Sequence, residues 1–384
     1  MIFLGVTTSH SRPQRDLVNG QAIFRYDTFG DEQLWTGTLQ LHDAIETVSP
    51  AAALNVGLKV DVAALPRSVI RALMDGQINL NDPAVTAQLL ALDAVVGVVG
   101  RVNASGEVES IGITCALCHS TVDDSFAAGI GRRLDGWPNR DLDVGAIIAL
   151  SGVLTDAQRA LFNSWGPGKF DPRLQAFDGT GFISLNATTF PVVIPPAYGL
   201  RGIGFETFTG DGPISYWNNY VGVTQMGGHG SFIDPRIPLT VTQEPDEVMP
   251  ILPALLRYQL ALRAPAPPRG SFNRVAARRG ERVFTTVARC AECHIPPTYT
   301  DVMRTPAPFL HAPTEIGAEP EYASRSVTGM YRTSPLRGIW QHPPYFHDGS
   351  APTLTAVIDH YEAVLGLVLT PAQKADLVEF LKSL

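Results

Sequence analysis

Cys115-Ala116-Leu117-Cys118-His119 and Cys290-Ala291-Glu292-Cys293-His294 decide how this chain of 384 residues is read. Both stretches follow the pattern Cys-x-x-Cys-His, and together they use all 4 cysteines of the sequence. At this chain's own Cys and His frequencies one accidental copy has a chance of about one in a thousand, and two copies about one in a million. The pattern attaches c-type haem. Two thiols bond the vinyl groups of the macrocycle, and the adjacent imidazole is presented to the iron as proximal ligand. A structural zinc site needs four ligands from knuckles close in sequence, whereas these pairs start at residues 115 and 290 with no Cys to spare. A thioredoxin-like dithiol has no use for a histidine at the next position twice over.

Lys plus Arg number 29 and Asp plus Glu 37, a net charge of −8 that argues against nucleic acid or an anionic membrane as partner. With 45% hydrophobic and 17% charged residues the chain can build real cores and is not disordered, and its length suits two or three domains. The 35 Gly and 30 Pro imply many loops. No apolar run approaches a membrane span, since the best stretches, 143–154 and 248–262, are broken by polar residues or Pro. Haem attachment of this kind takes place outside the cytoplasm, so the protein is expected to be exported, to the periplasm or beyond. Met1-Ile2-Phe3-Leu4-Gly5-Val6 has no basic residue and is too short for the core of an export signal. The signal has been removed, or the start is displaced.

Along the chain, residues 15–47 read as helix, with Leu34, Leu41 and Ile45 on one face. Ala94–Val102 and Glu107–Ile113 read as a hairpin around Asn103-Ala104-Ser105-Gly106 that delivers the chain to the first motif. Thr155-Asp156-Ala157-Gln158 is a capping box for a short helix ended by Gly166. The segment 166–247 shows no sustained period and reads as long ordered loops. Residues 264–270, APAPPRG, form a stiff linker. Phe272–Val287 then reads as a helix running into the second motif, with Gly280 as the approach point for another helix and Phe284 at the haem edge. Thr370-Pro371-Ala372-Gln373 caps a last helix with Leu377, Phe380, Leu381 and Leu384 on one stripe. The expected fold is mostly α, with two cytochrome-c-like haem lobes. Residues 1–263 form the N-terminal one, with long loop insertions and a small β-hairpin; 264–270 link it to a C-terminal lobe at 271–384.

Ser334-Pro335-Leu336-Arg337-Gly338-Ile339-Trp340, Pro344-Tyr345-Phe346-His347-Asp348-Gly349-Ser350, Thr353-Leu354 and the closing helix resemble the bacterial di-haem cytochrome c peroxidases. That family includes the methylamine-utilisation di-haem enzyme and, more distantly, the rubber oxygenases. The likeness covers about 270–384. It is weaker before that, at Gly20–Asp27, Gly136–Arg140 and Thr209–Gly212, and some 75 extra residues precede the first motif. The resemblance implies a second haem whose distal ligand lies shortly before the last helix, as Met, Tyr or His. His360 is favoured, Tyr361 is the alternative, and Met330 is a further one with spacing suited to a small cytochrome. It also implies a distal His about 16 residues after the first motif, where this sequence has Arg132. No His occurs between 119 and 229. The first iron is therefore expected to be open on one side.

Heterolytic cleavage of an O–O bond needs a proton carrier and a donor that polarises the bond. Gln225, which falls near the family's catalytic carboxylate, and His229 are the candidates. His229 or Met226 could instead ligate the first iron and close it. Arg132 and Arg133 suit haem propionates. Trp217 and Trp340 are either core residues or electron relays, although the family's relay Trp aligns nearer Thr209. Asp171, Asp178 and Asp211 lie in turns, and relatives carry calcium between lobes. The leading expectation is an exported peroxidase-like oxidoreductase. A small donor, cytochrome or cupredoxin, would feed the second haem, and the first would use hydrogen peroxide or dioxygen. The alternatives are an electron carrier with both irons six-coordinate, and an oxygenase on an apolar substrate suggested by the aromatic loop from Phe182 to Phe208.

Overall fold

The computed structural model describes residues 12–384, and side chains from Asn19 onward. The opening stretch Met1–Val6 lies outside the described residues. Helices carry far more residues than strands, and the strands form six separate two-stranded ladders.

The first helix, Arg12–Tyr26, lies along Leu252–Ala261. Gly20 permits the approach, since a Cβ there would overlap the Ala254 carbonyl. Phe24 and Tyr258 meet with ring centroids 5.5 Å apart. The helix expected over 15–47 does not continue past Tyr26. Asp27 accepts the Phe29 N–H at 2.9 Å, an Asx turn, and Phe29 and Gly30 take φ of 58° and 75°. The chain then re-enters a π-helical turn at Gln33–Thr38 and a short helix at Leu41–Ile45. Leu34 and Leu41 do share one buried cluster, with Ile45 at its edge. Their spacing reports burial against a common core rather than one continuous rod.

The hairpin forms between Val98–Val102 and Val108–Ile113. Asn103 closes its turn by accepting the N–H groups of Ser105 and Glu107, both at 3.0 Å. Gly97 lets the hairpin sit on the first motif, because a Cβ there would strike the Leu117 backbone. The capping box at Thr155 and Gln158 starts the helix Asp156–Asn163, and Gly166 follows with φ of 73°. The region read as loops, 166–247, holds more order than expected. Gln175–Phe177 pairs with Phe182–Ser184, Phe232–Ile233 with Thr240–Val241, and Lys169–Phe170 with Val192–Val193. It also carries a helix, Ile214–Tyr220, that widens into a π turn at Val221–Gln225. Strands of two or three residues leave too little alternation to read.

Past the Pro-rich segment, Asn273 caps the helix Arg274–Thr285 by accepting two backbone N–H groups, a cap of about 1 kcal/mol. Gly280 lies against the Asp376 carbonyl of the last helix, Pro371–Leu381, and Phe284 meets Phe380 at 5.1 Å. The box of Thr370 and Gln373 caps that last helix as expected. Leu377, Phe380 and Leu381 join Val283, Leu354 and Ile358 in a separate core. Residues on either side of 264–270 share a buried seam. Arg325 holds Asp171 at 2.8 Å, Arg332 holds Glu206 at 3.1 Å, and the Val193 N–H donates to the His347 carbonyl at 2.7 Å. The Trp340 indole donates to the Pro265 carbonyl at 3.1 Å, so the Pro-rich segment is itself packed.

Candidate haem sites

Each motif closes on itself in the same way. The His119 N–H donates to the Cys115 carbonyl at 3.1 Å, and the His294 N–H to the Cys290 carbonyl at 2.8 Å. One turn of chain, helical over Ala116–His119 in the first case and over Cys290–Glu292 in the second, thus brings the two thiols and the imidazole of each motif together. Each ring is then oriented by a second contact. Nδ1 of His119 meets the Pro195 carbonyl at 3.1 Å, and Nδ1 of His294 the Tyr299 carbonyl at 2.9 Å. A carbonyl accepts only from N–H, which fixes the proton on Nδ1 and leaves Nε2 as the ligand nitrogen. Burial lowers the His119 pKa to about 4 and moves that of His294 the same way, which keeps both rings neutral. Burial also raises Cys115 and Cys118 to about 12 and Cys290 to about 11.

The second motif opens on a cavity of about 500 Å³. Its wall includes Cys290, Cys293, His294, Tyr361, Arg140 and His342. Two observations fit this space to a haem: the wall is mainly apolar, and Arg140 and His342 bring buried nitrogens that no protein group satisfies. Cys290, Cys293 and His294 would hold the group. Behind them, sequence reading missed His311, which contacts Asp301 at 3.1 Å and Glu315 at 2.9 Å and shares a cluster with Cys293. It also missed His347, which meets Glu319 at 2.7 Å and the Tyr331 hydroxyl at 3.1 Å. His347 does stand inside the quoted Pro344–Ser350 stretch, and that was the available signal; His311 has none.

The distal candidates separate. His360 donates from Nε2 to the Ile316 carbonyl at 2.9 Å, with its ring 4.7 Å from Phe346. Both His360 and Tyr361 line the cavity that holds Cys290 and Cys293. Burial raises the Tyr361 phenol to about 12, and the thiols of Cys293 and Cys290 add to the rise. Met330 lies in the turn after Thr328, whose hydroxyl accepts its N–H at 3.2 Å.

Around the first motif the predicted residues do not converge. Gln225 is buried, its amide donating to the Thr224 and Tyr220 hydroxyls at 3.2 and 3.3 Å. His229, four residues on, turns its Nδ1 to the Pro245 carbonyl at 2.9 Å and shares no partner with Gln225. Met226 is buried in the cluster that contains Ala116, and its carbonyl takes the Trp35 indole N–H. Arg132 is exposed. Arg133 is buried, pairs with Asp61 at 3.1 Å, and keeps both terminal nitrogens without partners. Trp217 is buried under Arg173, while Trp340 packs edge-on to Trp137 at 6.0 Å. The calcium candidates carry other partners. Arg325 neutralises Asp171, Arg173 neutralises Asp211, and the exposed Asp178 takes the Thr180 hydroxyl.

The described family RoxA-like, cytochrome c-like matches residues 329–363, which hold Tyr361 and the quoted Pro344–Ser350 stretch. The methylamine utilization protein MauG of Methylorubrum extorquens is 34% identical over 122 residues. Over that part this chain is similar to MauG, in keeping with its resemblance to the di-haem peroxidases. The match takes in 28% of this chain and 34% of MauG, so the chain spans about a third of that relative's length. Among solved structures, a MauG-like protein associated with microbial copper homeostasis is 25% identical, over 35% of this chain and 55% of that one, with a TM-score of 0.27. Hydrazine synthase of Kuenenia stuttgartiensis is 21% identical, over 50% of this chain and 72% of that one, with a TM-score of 0.30. The match to a cytochrome c-like family model fits a c-type haem. No helix among the described residues is long and apolar enough to cross a membrane.

Proposed function

We propose that this protein is an exported di-haem oxidoreductase in which the second site receives electrons from a small redox protein and the first uses hydrogen peroxide or dioxygen. The observation that carries the reading is the pair of identical turns, each presenting two thiols and an imidazole pinned through Nδ1. Haem bound at these turns supplies the one-electron chemistry that the amino acids lack. Cys115, Cys118 and His119 hold it at the first site, and Cys290, Cys293 and His294 at the second.

Tyr361 is the better second axial ligand at the second site. It lines the cavity with Cys290 and Cys293, and the thiols act on its phenol, whereas the Nε2 of His360 is engaged with a backbone carbonyl. Were Tyr361 to hold the iron together with His294, that site would suit electron transfer. At the first site, His229 is drawn towards Pro245, which favours an open position, while Met226 stays in the cluster beside Ala116 and is the remaining candidate to close the iron. Reducing peroxide to two waters takes two electrons and two protons. Gln225 can orient an oxygen but not accept a proton, and His229 would have to turn from Pro245 to serve as the acid–base group.

Absorption and EPR spectra of the oxidised holoprotein, followed by cyanide and peroxide titration, test the reading. About half of the iron is expected to be high-spin and converted by cyanide, with rapid peroxide decay. Stable dioxygen binding without peroxide decay would select an oxygenase. Two low-spin haems inert to both ligands, before and after partial reduction, would leave an electron carrier.

A further inference from the structure

The loop that follows the first motif faces two ways. The Asn139 N–H donates to the Cys118 carbonyl at 2.9 Å, and its side-chain amide to the Gly57 carbonyl at 2.9 Å, which ties the loop to the first motif. Arg140, the next residue, lines the cavity of the second motif instead. Its NH2 donates to the His342 carbonyl at 3.1 Å. Its Nε and NH1, and both ring nitrogens of His342, are buried without a partner.

The other arginines of this wall are already engaged. Arg289 holds Glu292, Arg332 holds Glu206, and Arg337 donates to the carbonyls of Gly199, Arg201 and Pro297. Among the described residues no carboxylate pairs with Arg140, and the groups that act on its charge are the phenols of Tyr198 and Tyr345. Burial, and next the Arg140 charge, lowers His342 to about 3, so its ring is neutral and keeps one N–H to donate. A buried guanidinium without an anion is costly, and a neutral imidazole N–H beside it completes a site for a carboxylate. The cavity they share is the one that takes the macrocycle, whose propionates are carboxylates.

We propose that Arg140 and His342 grip a propionate of the haem attached at Cys290 and Cys293, so that the loop packed on the first motif helps to hold the second haem. The inference rests on haem attachment at the second motif and not on turnover at the first. A fixed positive charge beside the propionate favours the ferrous state, because it offsets negative charge near the iron. Removing it lowers the reduction potential.

The test is a spectroelectrochemical titration of the di-haem holoprotein with resonance Raman spectra of the propionate bending band, for wild type, Arg140→Gln, Arg140→Lys and His342→Leu. Covalent attachment keeps the haem content unchanged. Arg140→Gln is expected to lower the potential of the second haem and shift the band, Arg140→Lys to do less of both, and His342→Leu mainly to shift the band. A folded, fully loaded Arg140→Gln protein with wild-type potential and band would overturn the proposal. Should Arg140→Gln not load haem, Arg140→Lys and His342→Leu carry the same decision. These readings stand whether or not wild type turns over peroxide, so failure of the functional reading remains distinct.

Discussion

Nδ1 of His119 lies 3.1 Å from the carbonyl oxygen of Pro195, and Pro195 also forms part of the wall around Cys290, Cys293 and His294. The imidazole of the first motif is therefore oriented by a residue bordering the second cavity. A hydrogen bond to Nδ1 sets the orientation and basicity of a metal-bound imidazole. Movement of the 195–199 segment when the second cavity changes charge would be felt at the first iron through this one bond.

Tyr361→Phe is expected to change the low-spin signal of the second haem, converting it towards a five-coordinate spectrum, while His360→Ala leaves it in place. The His360 variant loses its bond to the Ile316 carbonyl and about 0.5–1.5 kcal/mol of stability. EPR of the two variants side by side decides between them. A changed spectrum in His360→Ala and none in Tyr361→Phe would reverse the assignment.

Asp171 is buried and accepts from Arg325 at 2.8 and 3.0 Å, from the Phe190 N–H at 2.6 Å and from the Arg173 N–H at 3.0 Å. Asp171→Ala leaves a buried guanidinium uncompensated, a loss of about 3–5 kcal/mol in denaturant unfolding. Adding Arg325→Met should recover part of that loss. Recovery stays incomplete because two backbone N–H groups remain without an acceptor.

Gly280→Ala places a methyl against the Asp376 carbonyl and Phe380. The helices Arg274–Thr285 and Pro371–Leu381 must separate to admit it, and a cost of about 1–3 kcal/mol is expected. Thermal unfolding followed at the Soret band measures it. A wild-type midpoint would show that the two helices are not held at this distance.

Asp31 is fully buried, where it accepts the Ile113 N–H at 3.1 Å. Burial raises its carboxyl well above the usual range, with Glu32 adding to the rise. A raised carboxyl binds its proton more tightly in the folded state. Folding therefore carries no penalty below the unfolded pKa of about 3.9, and a growing one as pH rises from there to the folded value. Asp31→Asn keeps an acceptor for Ile113 and removes the charge. Its midpoint relative to wild type should rise between pH 4 and neutrality, by about as much as the desolvation of one carboxylate exceeds its hydrogen bonds. A pH-independent difference would place the effect in packing instead.

Much of the C-terminal part was legible because its signals are local. Thr370 and Gln373 lie three residues apart and form their box, and Gly280 meets the last helix, as spacing alone suggests; Phe284, expected at the haem edge, packs on Phe380. The attachment turns were legible for the same reason. What escaped depends on long-range pairing. Pro195 serves His119 from far along the chain, Arg140 reaches a cavity built mostly from residues 284–381, and Arg325 finds Asp171, with nothing in either local stretch to announce the partner. The break after Tyr26 escaped for a different reason. Leu34 and Leu41 are buried in one cluster by tertiary packing, which imitates a helical face across a chain that has turned at Phe29.

The π turn at Val221–Gln225 is closed by the Met226 N–H donating to the Val221 carbonyl, five residues back, at 2.8 Å. Such a turn is an α-helix carrying one surplus residue. Deleting one residue here would restore ordinary helical pitch and rotate everything after it by about 100°. The side chain standing where Gln225 now stands would be exchanged without any substitution at that position. Length variation at this turn, as well as mutation of Gln225 itself, would thus change which side chain this segment presents.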